Sequence, residues 1–223
     1  MKHVASRSLN LRTEPLIKPS MLIVGLPFGH PVTIEGPSTR EGWHIVSTSY
    51  QGRDLRGHIS GRFLRDPASD KIELTLAMGA VEWDRFERGA GKEHINPFAG
   101  FVGEMWKELP GFQHLTGKDR GVPWSAACIS FIIRNAGYQN FQFSAAHARY
   151  INESIVARLD NDTSKDFWGF RLNEHKPQLG DLVCRKRTSA NIDYDFAARH
   201  NQFKSHTDIV VSIGDDEVYA VGG

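Results

Sequence analysis

Cysteine is scarce in this chain. Two thiols, Cys128 and Cys184, occur in 223 residues. They are too few for a disulfide framework and have no zinc-type spacing. Reduced thiols are therefore expected, and a stapled or metal-held fold is not. An excess of one charge is also missing. There are 27 Lys and Arg against 26 Asp and Glu, a formal net charge of +1. That balance gives no electrostatic footprint for nucleic acid or a membrane surface. No apolar run approaches the roughly 18 residues of a membrane span. The opening stretch MKHVASRSLNLRTEP lacks the apolar core of a secretory signal, which leaves retention, a signal-free route or an already removed signal. Internal repeats and low-complexity segments are absent as well. What is present is 40% hydrophobic residues, enough for the core of one large domain or of a medium and a small one.

Residues 1 to 66 read as short strands separated by turns. SLNLRTEP, MLIVGLPFGHPVTIEG, GWHIVSTS and LRGHISGRFLR follow one another with Gly and Pro in nearly every interval. Apolar residues alternate within the runs, the pattern of a small β-barrel or sandwich. From Ile72 the period becomes helical. Leu74, Leu76, Ala77, Val81 and Phe86 form one set, and Phe98, Phe101, Val102, Met105, Trp106 and Leu109 another. Pro97 suits a first helical turn, and Pro110-Gly111 ends the second set.

The stretch PWSAACISFIIRNAG, residues 123–137, places Cys128 near the start of a third helix. Ser125 reads as its N-cap and Asn135-Ala136-Gly137 as its end. The free N–H groups and dipole of a first turn favour an anion, so a thiol there is expected to have a lowered pKa. Ala126 and Ala127 leave room around the sulfur. A nucleophilic thiol needs a base, and His206 opens the alternating stretch HTDIVVSI before a turn at residues 214–216. His147, in FSAAHARYI, falls on another helix, with Ser144 as its cap; its expected part is structural or in substrate binding. Cys184 reads as a packing residue of a strand. Residues 186–204 form a long polar insertion in which Tyr194, Phe196 and Arg199 are candidates to line a substrate groove.

Two resemblances follow from these residues. Leu9-Asn10-Leu11-Arg12, Gly42-Trp43, Gly57-His58-Ile59 and Phe63-Leu64 resemble the strands of a bacterial SH3-like domain. That implies an accessory module of residues 1–66 which holds cell-wall peptide or packs on a catalytic domain. In the remainder, residues 67–223, the set PWSAACISF, FSAAHARYI, GDLVCRKR and SHTDIVV resembles the papain-like cell-wall peptidase superfamily, which includes NlpC-type and CHAP-type amidases. The resemblance runs from about residue 95 to 223. It departs at the nucleophile, where Ala127-Cys128-Ile129-Ser130 replaces the Asp-Cys-Ser-Gly of many relatives.

The resemblance implies an α+β fold, with an SH3-like β-barrel followed by helices packed on an antiparallel sheet. It implies hydrolysis of a peptidoglycan stem-peptide amide through a thioester. Cys128 would be the nucleophile, with its own N–H as an oxyanion donor, and His206 the base; no metal or cofactor is needed. Trp124, Ser125, His147 and Tyr194 are the candidate substrate contacts. The residue orienting His206 is expected from the strand paired with it, at the first or second position beyond Gly223, with Asp208 as the weak substitute. Action at the bacterial cell envelope follows, reached by a signal-free route or by lysis, with an immunity or inhibitor protein as partner if the protein is a secreted effector. A cell-wall-binding protein with an inactive peptidase domain, and a cysteine-dependent acyltransferase or deamidase acting on proteins, are the alternatives.

Overall fold

The computed structural model describes residues 1–6, 8–214 and 217–223. The chain divides into two compact units, Met1–Ser69 and Asp70–Gly223.

The first unit is built from strands. β1 (Lys2–Val4), β2 (Ser8–Arg12), β3 (Leu22–Pro27), β4 (Pro31–Pro37), β5 (Trp43–Tyr50), β6 (Arg53–Ser60) and β7 (Leu64–Arg65) form one antiparallel sheet in the order β3-β2-β6-β5-β4-β1-β7. Period-two patterning sets its inner face. In β2, Leu9 and Leu11 point inward while Ser8 and Asn10 face water. They pack with Val4, Leu26, Val32, Val46 and Ile59 in a separate small core. Gln51 and Gly52 close the β5–β6 hairpin with φ of 52° and 72°, the two left-handed residues that a two-residue turn needs to match strand twist. Among the described residues no pairing joins β3 to β7, so the sheet is open and not the closed barrel expected from its sequence.

The second unit holds α1 (Asp70–Arg85), α2 (Phe98–Lys107), α3 (Ser125–Asn135), α4 (His147–Leu159), β8 (Leu182–Lys186), α5 (Tyr194–Arg199), β9 (Ser205–Ile213) and β10 (Val218–Val221). Its antiparallel sheet runs β10-β9-β8, and α1, α3 and α4 all pack against the central strand β9. The chain is thus mixed α+β. The core gathers Trp106, Ile129, Ile132, Ile133, Tyr150 and Ile209. Among the described residues no helix is long and apolar enough to cross a membrane.

Two helices differ from the sequence reading. In α1, Leu74 and Val81 face solvent, and the buried stripe runs through Thr75, Leu76, Gly79 and Glu82. Counting apolar residues misses that stripe because three of its four members are not large apolar side chains. Helix α5 lies inside the insertion that reads as loop. Asp193 caps it by accepting the N–H of Phe196 at 2.8 Å.

The two cores share no residue. Residues 70–223 expressed alone are therefore expected to unfold cooperatively, with retained near-ultraviolet circular dichroism; a broad, non-cooperative melt of that fragment would contradict independent cores.

Candidate active site

Helix α3 begins with Trp124 as N-cap, and the N–H of Cys128 donates to the Trp124 carbonyl at 3.0 Å. Cys128 is therefore the fourth helical residue, and its N–H is spent inside the helix. Both expectations about this turn need correction. Ser125 is not the cap, and the Cys128 N–H is not free to serve as an oxyanion donor. The Ser125 hydroxyl instead pairs with His147 Nε2 at 2.7 Å. Nor does Ser144 cap α4: that place belongs to Ala146, whose N–H donates to the Ser144 hydroxyl at 3.0 Å.

The Cys128 thiol is 4% exposed. Burial, with the Glu82 and Asp208 carboxylates adding to it, pushes its pKa up to about 12. This reverses the expectation of a lowered pKa. Loss of water costs an anion more than the end of a helix dipole returns at this depth. The resting group is the neutral thiol.

His206 is the second residue of β9 and is 3% exposed. Side chains two apart on a strand share a face, which brings Asp208 Oδ1 to 3.0 Å from His206 Nε2. The other oxygen of Asp208 lies 4.0 Å from Arg185 Nη2, on the residue paired directly with His206 across β8. The ring's side-chain partner is thus Asp208, expected only as the weak substitute, rather than a residue of the paired strand. Among the described residues His206 Nδ1 is buried with no hydrogen-bond partner, so Cys128 is not bonded to it. Burial holds the His206 pKa below its ordinary value, against an upward pull from Asp208. A neutral ring whose Nε2–H points at a carboxylate carries its lone pair on Nδ1.

His147 joins the helix to the strand. Its ring centre lies 5.1 Å from that of His206, edge to face. Nε2 meets Ser125, and Nδ1 meets the Tyr150 hydroxyl. Both ring nitrogens are thus engaged within the protein. Burial, reinforced by the neighbouring His206, pushes its pKa down to about 3.

A cavity of about 190 Å³ opens beside the thiol, lined by Glu82, Trp83, Phe86, Trp124, Cys128 and Gly223 among others. Trp124 stacks on Phe86 with ring centres 5.2 Å apart. The backbone of Gly222 and Gly223 closes on the site. A Cβ on Gly222 would stand 2.2 Å from Asp208 Oδ1, and one on Gly223 would stand 3.0 Å from Cys128 Cβ. Only glycine admits so close an approach.

Tyr194 lies elsewhere. It lines a separate cavity of about 800 Å³ together with Tyr150, Phe170 and Phe203, and Cys128 takes no part in it. Its hydroxyl donates to the Gly169 carbonyl at 2.9 Å and accepts from Arg158 at 3.2 Å, pinning the segment after α4. Cys184 is exposed, but its Sγ accepts from the buried Thr207 hydroxyl at 3.5 Å, and desolvation pushes its pKa up to about 11. Glu82 was not among the sequence candidates, because a carboxylate on a helix ordinarily reads as its solvent face. Among the described residues no group of three or more His, Cys, Asp or Glu is placed to hold a metal ion.

The buried neutral His147 makes stability depend on pH. Between its ordinary pKa of 6.5 and about 3, the unfolded chain binds a proton there that the folded chain does not. Stability is then fully present above pH 6.5 and falls as the pH drops through that window. The expected slope from this group is about 1.4 kcal/mol per pH unit. Denaturant titrations from pH 7 down to the acid limit should show it, and His147→Gln should flatten the curve. An unchanged slope in the variant would assign the acid sensitivity to other groups.

Residues 107–223 match the model of a family described as uncharacterized protein conserved in bacteria, DUF2272. Cys128, His147, His206 and Asp208 lie inside the matched segment, while Glu82 lies before it. No curated protein and no solved structure matches the chain. The match covers more than half of the sequence, and the chain belongs to this family.

Proposed function

We propose that residues 70–223 are a papain-like cysteine hydrolase, of the NlpC and CHAP kind, that cleaves an amide bond in the peptide of bacterial peptidoglycan. The observation that carries the reading is His206. One nitrogen of its buried ring is fixed by Asp208 at 3.0 Å, and the other is an unpartnered lone pair. A buried acceptor left without a donor costs stability and calls for an explanation, and a proton to be taken from the thiol supplies one.

In this route Cys128 Sγ attacks the scissile carbonyl carbon, and the thiol proton passes to His206 Nδ1. The tetrahedral intermediate collapses to a thioester, and the same proton leaves with the amine. Water then gives a proton to Nδ1 as it attacks the thioester, and that proton returns to sulfur. Asp208 holds the ring with Nδ1 as the base and offsets the imidazolium charge that forms. A thiol that rests neutral suits such a sequence, because the charged pair need exist only while substrate is bound. Hydrogen bonds of this kind commonly tighten when substrate arrives.

The first unit is read as an SH3-like module that holds the enzyme to the cell wall. Its support is the run of short antiparallel strands around a small core, together with the sequence resemblance; the open strand order is a departure from that type. The site of action is then the bacterial cell envelope. One observation favours a second reading, a wall-binding protein whose peptidase unit is inactive. Cys128 is buried beneath Gly223 and is not bonded to His206.

Incubation with purified sacculi, followed by mass spectrometry of the released fragments, separates the two. The hydrolase should release peptide fragments, and Cys128→Ala and His206→Ala should abolish release without lowering the melting temperature by more than a few degrees. Asp208→Asn should cost about 10²-fold, less than the roughly 10⁴-fold of a fully buried triad Asp, because Asp208 is partly exposed. Binding to sacculi with no fragments would favour the second reading. Equal cleavage by Cys128→Ala would remove the nucleophile assignment. Deleting residues 1–69 should weaken sacculus binding; unchanged binding would count against the module.

A further inference from the structure

Glu82 projects from α1 into the cavity beside Cys128, and its side chain is 5% exposed. Its two oxygens differ. Oε1 accepts from Arg85 Nη1 at 2.9 Å. Oε2 is buried and, among the described residues, has no hydrogen-bond partner. The other arm of the Arg85 guanidinium is taken by Glu104. Two carboxylates therefore share one guanidinium, and Glu82 Oε2 is left in the cavity wall with no donor of its own. Burial of an unpaired carboxylate oxygen is costly unless something donates to it. The wall also holds Trp83 and Trp124, the latter stacked on Phe86, beside Met105, Ile132, Val221 and glycine backbone. Aromatic faces and a carboxylate together form an environment for a cation. The cavity of about 190 Å³ is close to six water volumes, which admits an amine on a short stem.

We propose that this cavity binds a protonated primary amine, with Glu82 Oε2 accepting its N–H and the Trp83 and Trp124 rings beside it. The amine would lie next to the Cys128 sulfur. For its role in substrate choice the proposal rests on the hydrolase reading: the preferred amide is one that carries a free amine close to the scissile bond. Glu82 is then a specificity residue, supplied by α1 from outside the segment that matches the family.

The test is independent of hydrolysis. The full chain is treated at neutral pH with three methanethiosulfonates that differ in one group: 2-aminoethyl (cationic), methyl (neutral) and 2-sulfonatoethyl (anionic). Cys128 sulfur attacks the sulfenyl sulfur, a mixed disulfide forms and methanesulfinate leaves. Peptide mass spectrometry gives the rate at Cys128, divided for each reagent by its rate with free 2-mercaptoethanol. The normalised rate should be about tenfold higher for the cationic reagent than for the anionic one. Glu82→Gln should erase that difference and leave the rate at Cys184 unchanged. Should Glu82→Gln fold poorly, protection of wild-type Cys128 from the methyl reagent by ethylamine, but not by ethanol, is the second measurement. Equal rates for all three reagents, a preference that survives Glu82→Gln, no labelling of Cys128 by any of them, or absent protection would each overturn the proposal. Selective labelling without sacculus cleavage would keep the amine site and remove the hydrolase; cleavage without selectivity would do the reverse.

Discussion

The first turns of α3 have almost no access to water. Every residue from Ser125 to Ser130 is buried, so each polar side chain there must be satisfied within the protein. Ser130 does so reciprocally with the backbone of Ser144, donating to its carbonyl and accepting its N–H, both at 3.0 Å. Ser125 does so with His147, which in turn meets Tyr150 and the His206 ring. The segment before α4, the helix itself and the start of β9 are thereby tied to one turn of α3. Among the described residues the second unit also leaves Trp106 Nε1, Arg134 Nε and Ser205 Oγ buried without a partner; the two such groups at the site are the Nδ1 of His206 and the Oε2 of Glu82. One is an acceptor beside the strand and the other an acceptor in the cavity that holds the thiol.

That same burial governs the electrostatics. It raises the pKa of Cys128, lowers those of His147 and His206, and raises that of Glu82. All four shifts favour the uncharged form. In so dry a setting each fixed dipole and charge acts more strongly than it would in water. The backbone of Gly222 and Gly223 contributes to the same exclusion by lying against Asp208 and Cys128.

Parts of this site were legible in the sequence because their signals are local. A small-residue turn followed by Ile and Phe marks the buried helix that carries Cys128. Alternation marks the strand that carries His206, and the two-residue offset to Asp208 follows from that alternation alone. Glu82 carried no such signal. Its neighbours Asp84 and Arg85 make it look like any solvated helix position, and only the packing of α1 on β9 shows which side is inside. Ser125 misled for a related reason. A serine before a helical run ordinarily caps it, but here its hydroxyl is taken by a histidine 22 residues away.

The sequence by itself determined the mixed α+β class, the change from strand to helix near residue 70, and the helix and strand that carry Cys128 and His206, because periods of 2 and 3.6 and a few punctuating residues are properties of adjacent positions. Tertiary structure alone decided that the strands of the first unit stay open, that the thiol is protonated, that His206 Nδ1 is buried without a partner, and that Glu82 faces the cavity. Each of those outcomes depends on which distant residues exclude water from a group. Desolvation is a sum over everything packed around an atom, and no local pattern of residues encodes it.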